Sequence, residues 1–247
     1  MGQVLRFTVI PVAATLLGGV VAAFFRPNAH LRSIVQHLAA GVVFAAAATE
    51  ILPDIIRRHQ PLEVAIGFAL GLGVMLLVRW LGRRLEGNQA EETPSVRVGL
   101  LATIGIDVLV DGLLIGIAFV AAAEAGVVLT IALTLEVLFL GLSAASALGE
   151  SGTSRRRIIL VTATLALPLP IGAAVGVLVA GAVSPEVMEI LLAAGLVALL
   201  YLVTEELLTE AHEEPETPFT TAAFFVGFLV LLLLRMVTDG RPIGGLS

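Results

Sequence analysis

The chain consists of long apolar segments separated by short polar ones, and this pattern constrains its fold more than any other feature. Eight segments are long and apolar enough to cross a hydrocarbon core of about 30 Å as helices. These spans, numbered 1 to 8, cover about 7–25, 34–56, 62–82, 98–123, 126–148, 158–182, 187–210 and 219–237. Only 14% of the residues are charged, well below the usual fraction in a soluble domain. The sequence therefore predicts an all-α, polytopic integral membrane protein with one transmembrane domain over residues 1–247.

Composition also removes several classes of protein from consideration. The chain contains no cysteine, which excludes disulfides, thiolate metal sites and thiol catalysis. Its apolar runs are continuous, unlike the strands of an outer-membrane barrel, which alternate at period two. No small-residue cleavage site follows span 1, so that segment is interpreted as a retained helix. The absence of a basic patch argues against nucleic acid as a partner.

The distribution of arginine between the two sides predicts the orientation. Nine arginines lie at the ends of spans 1, 3, 5 and 7 or in the loops after them: Arg26, Arg32, Arg79, Arg83, Arg84, Arg97, Arg155, Arg156 and Arg157. Five lie on the opposite side: Arg6, Arg57, Arg58, Arg235 and Arg241. Both termini are therefore predicted to be extracytoplasmic, in a plasma (inner) membrane. The polar segments 83–97 and 212–218 are predicted to be cytoplasmic linkers.

Carboxylates inside the apolar segments are the strongest indication of function. Eight acids of spans 2, 4, 5 and 7 are candidates: Glu50, Asp54, Asp107, Asp111, Glu136, Glu205, Glu206 and Glu210. An acid at the bilayer centre costs about 2.5–3.5 kcal/mol, so it needs a partner, a proton, water or a cation. Three pairs have a spacing of four residues, which puts both acids on one helix face. Such pairs converging on one cavity favour a divalent cation held by oxygen ligands, and a metal-free proton relay is the alternative.

Some of the charged residues also have a structural interpretation. Asp54 and Glu210 lie close to span ends, where water can solvate an acid that has no role in function. Glu205 is predicted to be such a helix-end residue, facing away from its acidic neighbour. Arg79 and Arg235 also lie near span ends, where an arginine can snorkel towards the membrane interface.

Histidine, proline and glycine add further expectations. His37, early in span 2, is predicted to make a helix contact, whereas His212 is interpreted either as a solvated linker residue or as an exit ligand. Pro53 in span 2 and Pro168 and Pro170 in span 6 are predicted to kink their helices. Small residues at four-residue spacing permit close approach of helices in a membrane. These pairs are Gly67/Gly71, Gly112/Gly116 and Gly172/Gly176.

One internal similarity suggests a repeat. Residues 50–54 of span 2 read EILPD, and residues 206–210 of span 7 read ELLTE. With the predicted topology these two spans cross the membrane in opposite directions. Spans 1–3 and 6–8 are therefore predicted to form inverted repeats around spans 4 and 5.

Three segments resemble the motifs of the ZIP metal transporters. Residues 107–116 (DVLVDGLLIG) resemble that family's His-Asn-x-Pro-Glu-Gly-Leu-x-Ile-Gly signature in span 4. Residues 200–212 (LYLVTEELLTEAH) are similar to its Leu-Tyr-Val…Glu-Leu-Ile-Pro-Glu-Ala-His segment in span 7. Residues 51–54 (ILPD) are similar to its Leu-Leu-Pro-Glu in span 2. Eight spans, outward termini and a cytoplasmic loop after span 3 agree with the same family.

The resemblance implies a set of metal-binding and pathway residues. Those at the family's metal-binding positions are Asp107, Asp111, Glu136 and Glu206. Those expected along the transport pathway are Glu50 and Asp54 on the outer approach, and Glu210 and His212 on the inner one. The mechanism implied is alternating access, in which spans 1, 4, 5 and 6 slide against spans 2, 3, 7 and 8.

The chain also departs from the family pattern. Val108 replaces the family's Asn, and Leu140 stands at the second Glu of the span 5 motif. Every intramembrane His ligand is missing, as is the His-rich cytoplasmic loop. A second, bridging metal is therefore not expected. Zinc preference does not follow either, because carboxylates also suit Mn²⁺, Fe²⁺ and Mg²⁺.

These observations together predict a divalent cation transporter that is not an enzyme. It would move Mn, Fe, Zn or Mg ions towards the cytoplasm, driven by gradients, since the sequence has no ATP-binding motif. The metal is the substrate, no cofactor is expected, and the partners are the lipid bilayer and, as a further option, a second copy in a homodimer. Three alternatives are a non-transporting sensor with the same fold, a proton-coupled carrier of another substrate and an intramembrane hydrolase. The hydrolase is disfavoured because no His-Glu-x-x-His helix or paired nucleophile is present.

Overall fold

The structure, a computed structural model, describes residues 2–25, 28–87, 98–215 and 217–238. Within these residues every regular element is a helix, and eight helical segments are long and apolar enough to cross a membrane. The helices are Gly2–Phe7 and Val9–Phe24 (span 1), Ala29–Ala46, Ala47–Ile51 and Leu52–Arg58 (span 2), Pro61–Gly87 (span 3), Val98–Ala121 (span 4), Ala123–Glu150 (span 5), Arg155–Ala166 and Pro168–Ala180 (span 6), Pro185–Tyr201, Leu202–Leu207 and Leu208–Ala211 (span 7), and Pro218–Thr238 (span 8). The predicted all-α class and the eight spans are confirmed.

Span ends differ from the predicted ones by a few residues. Span 3 continues to Gly87, five residues into the segment predicted as a linker, and span 8 begins at Pro218. The remainder of the first linker, residues 88–97, and one residue of the second, Glu216, lie outside the described residues, as do Arg26 and Arg241. We call the side where spans 3, 5 and 7 end the linker face, and the opposite side the termini face.

Both spans that contain the singled-out prolines depart from regular α-helix close to them. Span 6 breaks at Leu167, directly before Pro168, because proline has no N–H for the helical ladder. In span 2 a π-helical segment, Ala47–Ile51, precedes Pro53. Span 7 contains a second π-helical segment, Leu202–Leu207, with no proline in it or directly after it. Single π turns inside α-helices often occur at functional sites, and here both contain glutamates.

The eight spans form two four-helix bundles. Spans 1 and 5 pack along their lengths, as do spans 4 and 6, and these four form the 1-4-5-6 bundle. Spans 2 and 8 pack in the same way, as do spans 3 and 7, and they form the 2-3-7-8 bundle. The bundles meet mainly where span 2 contacts span 5 and where span 3 contacts span 4.

Glycines bring the helices of each bundle into backbone contact. A Cβ added to Gly112 in span 4 would meet the carbonyl oxygen of Leu169 in span 6, and one added to Gly71 would meet the backbone of Ala194. The four-residue glycine pairs named above all lie at such contacts. Among the described glycines, every one that meets the backbone of another span does so within its own bundle. Between the bundles, Gly82 and Gly195 meet only side chains.

Candidate metal site

Three carboxylates from spans 4 and 5 converge in the 1-4-5-6 bundle. Asp107 and Asp111 lie one turn apart on span 4, and Glu136 faces them from span 5. One oxygen from each of the three lies within 4.8 Å of the others. The helical spacing and the packing of span 4 on span 5 together account for this arrangement. We call these residues the three-carboxylate group.

Two members of the three-carboxylate group, Asp111 and Glu136, are buried, and three of their oxygens lack hydrogen-bond donors, whereas Asp107 is half-buried. Glu136 is fully buried and Asp111 is 2% exposed. Both Oε atoms of Glu136 and Oδ2 of Asp111 have no hydrogen-bond partner. A carboxylate removed from water without a donor is strongly destabilised as an anion, so the group requires protons or a cation. Three converging oxygens suit a divalent ion that prefers oxygen ligands.

A cavity of about 270 Å³ leads from the three-carboxylate group to the linker face. Asp107 and Glu136 lie on its wall, together with Glu206 of span 7. Its outer part includes Arg83 near the end of span 3 and Glu210 near the end of span 7, so it opens at this face. Glu206 therefore shares the cavity with the three-carboxylate group without belonging to the 4.8 Å cluster. A metal held by the cluster would be accessible from the linker face.

The π-helical segment of span 7 changes which residues face the cavity. Both Glu205 and Glu206 line it, although adjacent residues of an α-helix point about 100° apart. The expectation that Glu205 faces elsewhere as a helix-end residue is wrong. The wider π turn, which the sequence pattern does not reveal, presents both side chains to the same space.

Arg79 of span 3 also lines the cavity. Its guanidinium donates to Glu205 Oε2 at 2.6 Å and to the Tyr201 hydroxyl at 3.2 Å. Arg79 therefore has an acidic partner on the neighbouring span, and its side chain is 41% exposed. The cavity mouth carries a fixed positive charge beside its carboxylates.

Polar side chains join spans 2 and 7 at the linker face. Gln36 donates to Glu210 Oε2 at 2.6 Å, which fixes one of the two residues predicted for the inner approach. The other, His212, is exposed and meets the ring of His37 edge-on, with 5.3 Å between ring centroids. His37 Nδ1 donates to the Ser33 carbonyl oxygen at 2.8 Å. His37 thus makes the predicted helix contact.

The acids expected on the outer approach lie away from the cavity. Glu50, in the π-helical segment of span 2, is buried and forms an ion pair with Arg235 of span 8. Asp54 pairs with Arg57 on its own helix at 3.1 Å. Neither lines the cavity on the linker face. Arg235 also contacts Glu124 of span 5, an exposed residue, at 3.4 Å.

One buried acid is absent from the candidates predicted from the sequence. Glu189 of span 7 is fully buried, and its carboxylate lies 3.4 Å from Arg58 at the end of span 2. Its position inside the apolar run 187–200 is the signal that could have identified it. It lies towards the termini face, so it belongs to the packing of spans 2 and 7 and not to the described cavity.

The sequence model of the ZIP zinc transporter family matches residues 85–235, which is more than half of the chain. The chain belongs to the ZIP family. The match includes spans 4 to 7 and all three members of the three-carboxylate group. No curated protein matches the chain in a sequence search.

Membership of the ZIP family fits the architecture and the site. ZIP proteins are transporters and not enzymes, and they carry divalent metals as substrates without a cofactor. Eight apolar helices make this ZIP protein a multi-pass membrane protein. The three-carboxylate group is compatible with a metal as the transported ion. The site also differs in character from a typical zinc site, because it contains neither imidazole nor thiolate among its described residues.

Proposed function

We propose that this ZIP protein moves a divalent metal ion across the plasma (inner) membrane towards the cytoplasm. The ion would bind to Asp107, Asp111 and Glu136, with Glu206 as a fourth ligand on the cavity wall. The observation that carries this proposal is the convergence of three carboxylate oxygens within 4.8 Å, in a group of which Asp111 and Glu136 are buried and have oxygens without donors. The opening of the cavity on the linker face, which the arginine distribution assigns to the cytoplasm, supports release on that side.

The ligand chemistry supports one metal per chain. Val108, at the position of the family's Asn, is a fully buried apolar residue, and Leu140 on the cavity wall is apolar too. Neither can serve as a ligand for a second, bridging ion. A site built only from carboxylates accepts Mn²⁺, Fe²⁺ and Mg²⁺ as well as Zn²⁺.

The pathway would include further acids on both sides of the site. Glu210 and His212 would receive the ion at the linker face, where Gln36 holds Glu210 in place. Glu50 and Asp54 would serve the approach from the termini face. In this conformation, in which the cavity opens on the opposite side, these two acids are engaged by Arg235 and Arg57.

Transport would proceed by sliding of the 1-4-5-6 bundle against the 2-3-7-8 bundle. Backbone contacts at glycine hold each bundle together, whereas the described glycines between the bundles meet only side chains.

The packing of the spans also agrees with inverted repeats. The repeats would exchange span 1 with span 6, span 2 with span 7, span 3 with span 8 and span 4 with span 5. This exchange turns the contact between spans 1 and 5 into the contact between spans 6 and 4. It likewise turns the contact between spans 2 and 8 into the contact between spans 7 and 3. The proposed repeats would therefore supply each bundle from both halves of the chain.

Metal flux into proteoliposomes tests the proposal directly. We expect saturable uptake of at least one of Mn²⁺, Fe²⁺, Zn²⁺ and Mg²⁺, with the other ions competing according to their affinity for carboxylates. Empty liposomes provide the control. Metal binding without flux would favour the sensor alternative, for which the missing His, Asn and Glu ligands provide the motivation. Neither binding nor flux for any of the four ions would contradict the proposal.

A disulfide between the bundles tests the sliding mechanism. A Cβ on Gly82 of span 3 would lie 3.6 Å from the Cβ of Thr103 in span 4, within the range that disulfides require. We expect oxidised Gly82→Cys/Thr103→Cys protein to lose transport and to regain it on reduction. The native chain has no cysteine, so the two single variants are clean controls. Full transport by the cross-linked protein would contradict sliding at this contact.

A further inference from the structure

The 2-3-7-8 bundle contains two ion pairs of the same design. Arg79 of span 3 pairs with Glu205 of span 7, and Arg235 of span 8 pairs with Glu50 of span 2. In both pairs the glutamate lies in a π-helical segment and the arginine lies on a neighbouring helix of the same bundle.

The two pairs also match in sequence position. Each glutamate directly follows a threonine, Thr49 in span 2 and Thr204 in span 7. Arg79 lies 18 residues after Pro61, where span 3 begins, and Arg235 lies 17 residues after Pro218, where span 8 begins. The proposed inverted repeats exchange span 2 with span 7 and span 3 with span 8, so they relate the helices that carry the two pairs. Their register aligns Glu50 with Glu206, the residue next to Glu205. One pair lies towards each face of the membrane.

The pair on the linker face lies in the path of a departing ion. Arg79 and Glu205 both line the cavity that starts at the three-carboxylate group. Their side chains are 41% and 45% exposed, so a hydrated cation in the cavity can reach this carboxylate. Glu206, the next residue, lines the same space. Without the arginine, two adjacent carboxylates would face a cation as it leaves.

A free Glu205 would add a carboxylate to a cavity that Glu210 also lines, so these two would hold a second ion beside the one that Glu206 helps to bind. Several oxygens around one space hold a divalent ion far better than one oxygen does. Arg79 prevents this, since its guanidinium is always charged and occupies Glu205 through a short hydrogen bond. The Tyr201 hydroxyl, which accepts from the same nitrogen, holds the guanidinium in position.

We propose that Arg79 is a positioning residue for metal release, which withdraws Glu205 from the ion and keeps the cavity to a single binding site. Arg235 has the corresponding role on the termini face, where it engages Glu50 and Glu124. Each half of the chain thus supplies one resident cation that neutralises a pathway acid. This inference rests on the proposed transport function and adds to it the reason that metal does not remain bound at the mouth.

The experiment compares metal stoichiometry and transport kinetics in the wild type and four variants. Purified protein in detergent is equilibrated with Mn²⁺, and bound metal per chain is measured by elemental analysis. Arg79→Gln is expected to bind about twice as much metal as the wild type and, in proteoliposomes, to show a lower KM together with a lower Vmax. Arg79→Lys, which keeps the charge, and the double variant Arg79→Gln/Glu205→Gln are expected to return to the wild-type stoichiometry.

A matched control separates the role of Arg79 from a general effect of removing an arginine, and two outcomes would overturn the inference. Arg84→Gln removes an exposed arginine of the same span that stacks on Trp80 and does not line the cavity, so it should leave binding and kinetics unchanged. Unchanged stoichiometry in Arg79→Gln would overturn the inference. A loss of binding that Glu205→Gln does not rescue would also overturn it, because that is the behaviour of a merely structural arginine. Failure of the transport proposal itself is recognised separately, by absent flux in the wild type.

Discussion

Replacing both span 4 carboxylates, in Asp107→Asn/Asp111→Asn, is expected to abolish metal transport while leaving the protein folded in the membrane. Asparagine keeps the shape of aspartate but removes the charge, so the three-carboxylate group loses two of its three anionic ligands. We expect metal affinity to fall by about 100-fold. This corresponds to about 2.8 kcal/mol, which is a modest loss of binding free energy for two ligands. Uptake into proteoliposomes and metal binding in detergent measure both effects.

The same substitution should not destabilise the metal-free protein. Asp111 Oδ2 and both Glu136 oxygens are buried without donors, and a buried charge without a partner costs more than a neutral group of the same shape. We therefore expect an unfolding temperature in detergent equal to or above that of the wild type without metal. Glu186→Gln, which replaces an exposed acid at the start of span 7, is the control. Retained uptake in the double variant would contradict the site, and a lower unfolding temperature would contradict the account of its electrostatics.

The sequence predicts the spans and the core of the candidate site because both depend on simple periodicities. Hydropathy over about 20 residues identifies a membrane helix, and proline marks the break in span 6 at Leu167. A spacing of four residues places Asp107 and Asp111 on one face of span 4. The resemblance to ZIP motifs adds Glu136, which only the packing of span 5 on span 4 brings within reach.

Other residues could not be assigned from the sequence, since their roles depend on tertiary packing. Glu205 was expected to face away, but a π turn without a proline or glycine signal brings it to the cavity. Arg79 and Arg235 could be placed near span ends, where an arginine can snorkel, but their partners could not be named. Which carboxylate each arginine contacts depends on helix pairing, which is not encoded in local hydropathy. For Glu189 the apolar run around it was a usable signal, but its partner Arg58 lies on another span.

Gly112→Ala is expected to destabilise the 1-4-5-6 bundle strongly, although it adds only one methyl group. The added Cβ would meet the carbonyl oxygen of Leu169 and would lie 3.0 Å from the backbone nitrogen of Ala173. Neither backbone atom can move aside as a flexible side chain could, so spans 4 and 6 must separate. Overpacking costs about 1–3 kcal/mol in well-packed interiors, and a clash with backbone should lie at the upper end of that range. Thermal unfolding in detergent measures the loss directly.

Gly73→Ala supplies the matched control for that loss. An added Cβ on Gly73, in the middle of span 3, has no atom within 4 Å, and the residue is exposed on the outside of the 2-3-7-8 bundle. Alanine is favoured over glycine in a helix by about 1 kcal/mol, so this variant should unfold at or above the wild-type temperature. The unfolding temperature is measured in preference to transport, because Gly112 adjoins Asp111. A loss of flux in the Gly112→Ala variant could come either from the disturbed packing or from a displaced metal ligand. Equal unfolding temperatures for the two variants would contradict the close packing of spans 4 and 6 on which rigid-body sliding depends.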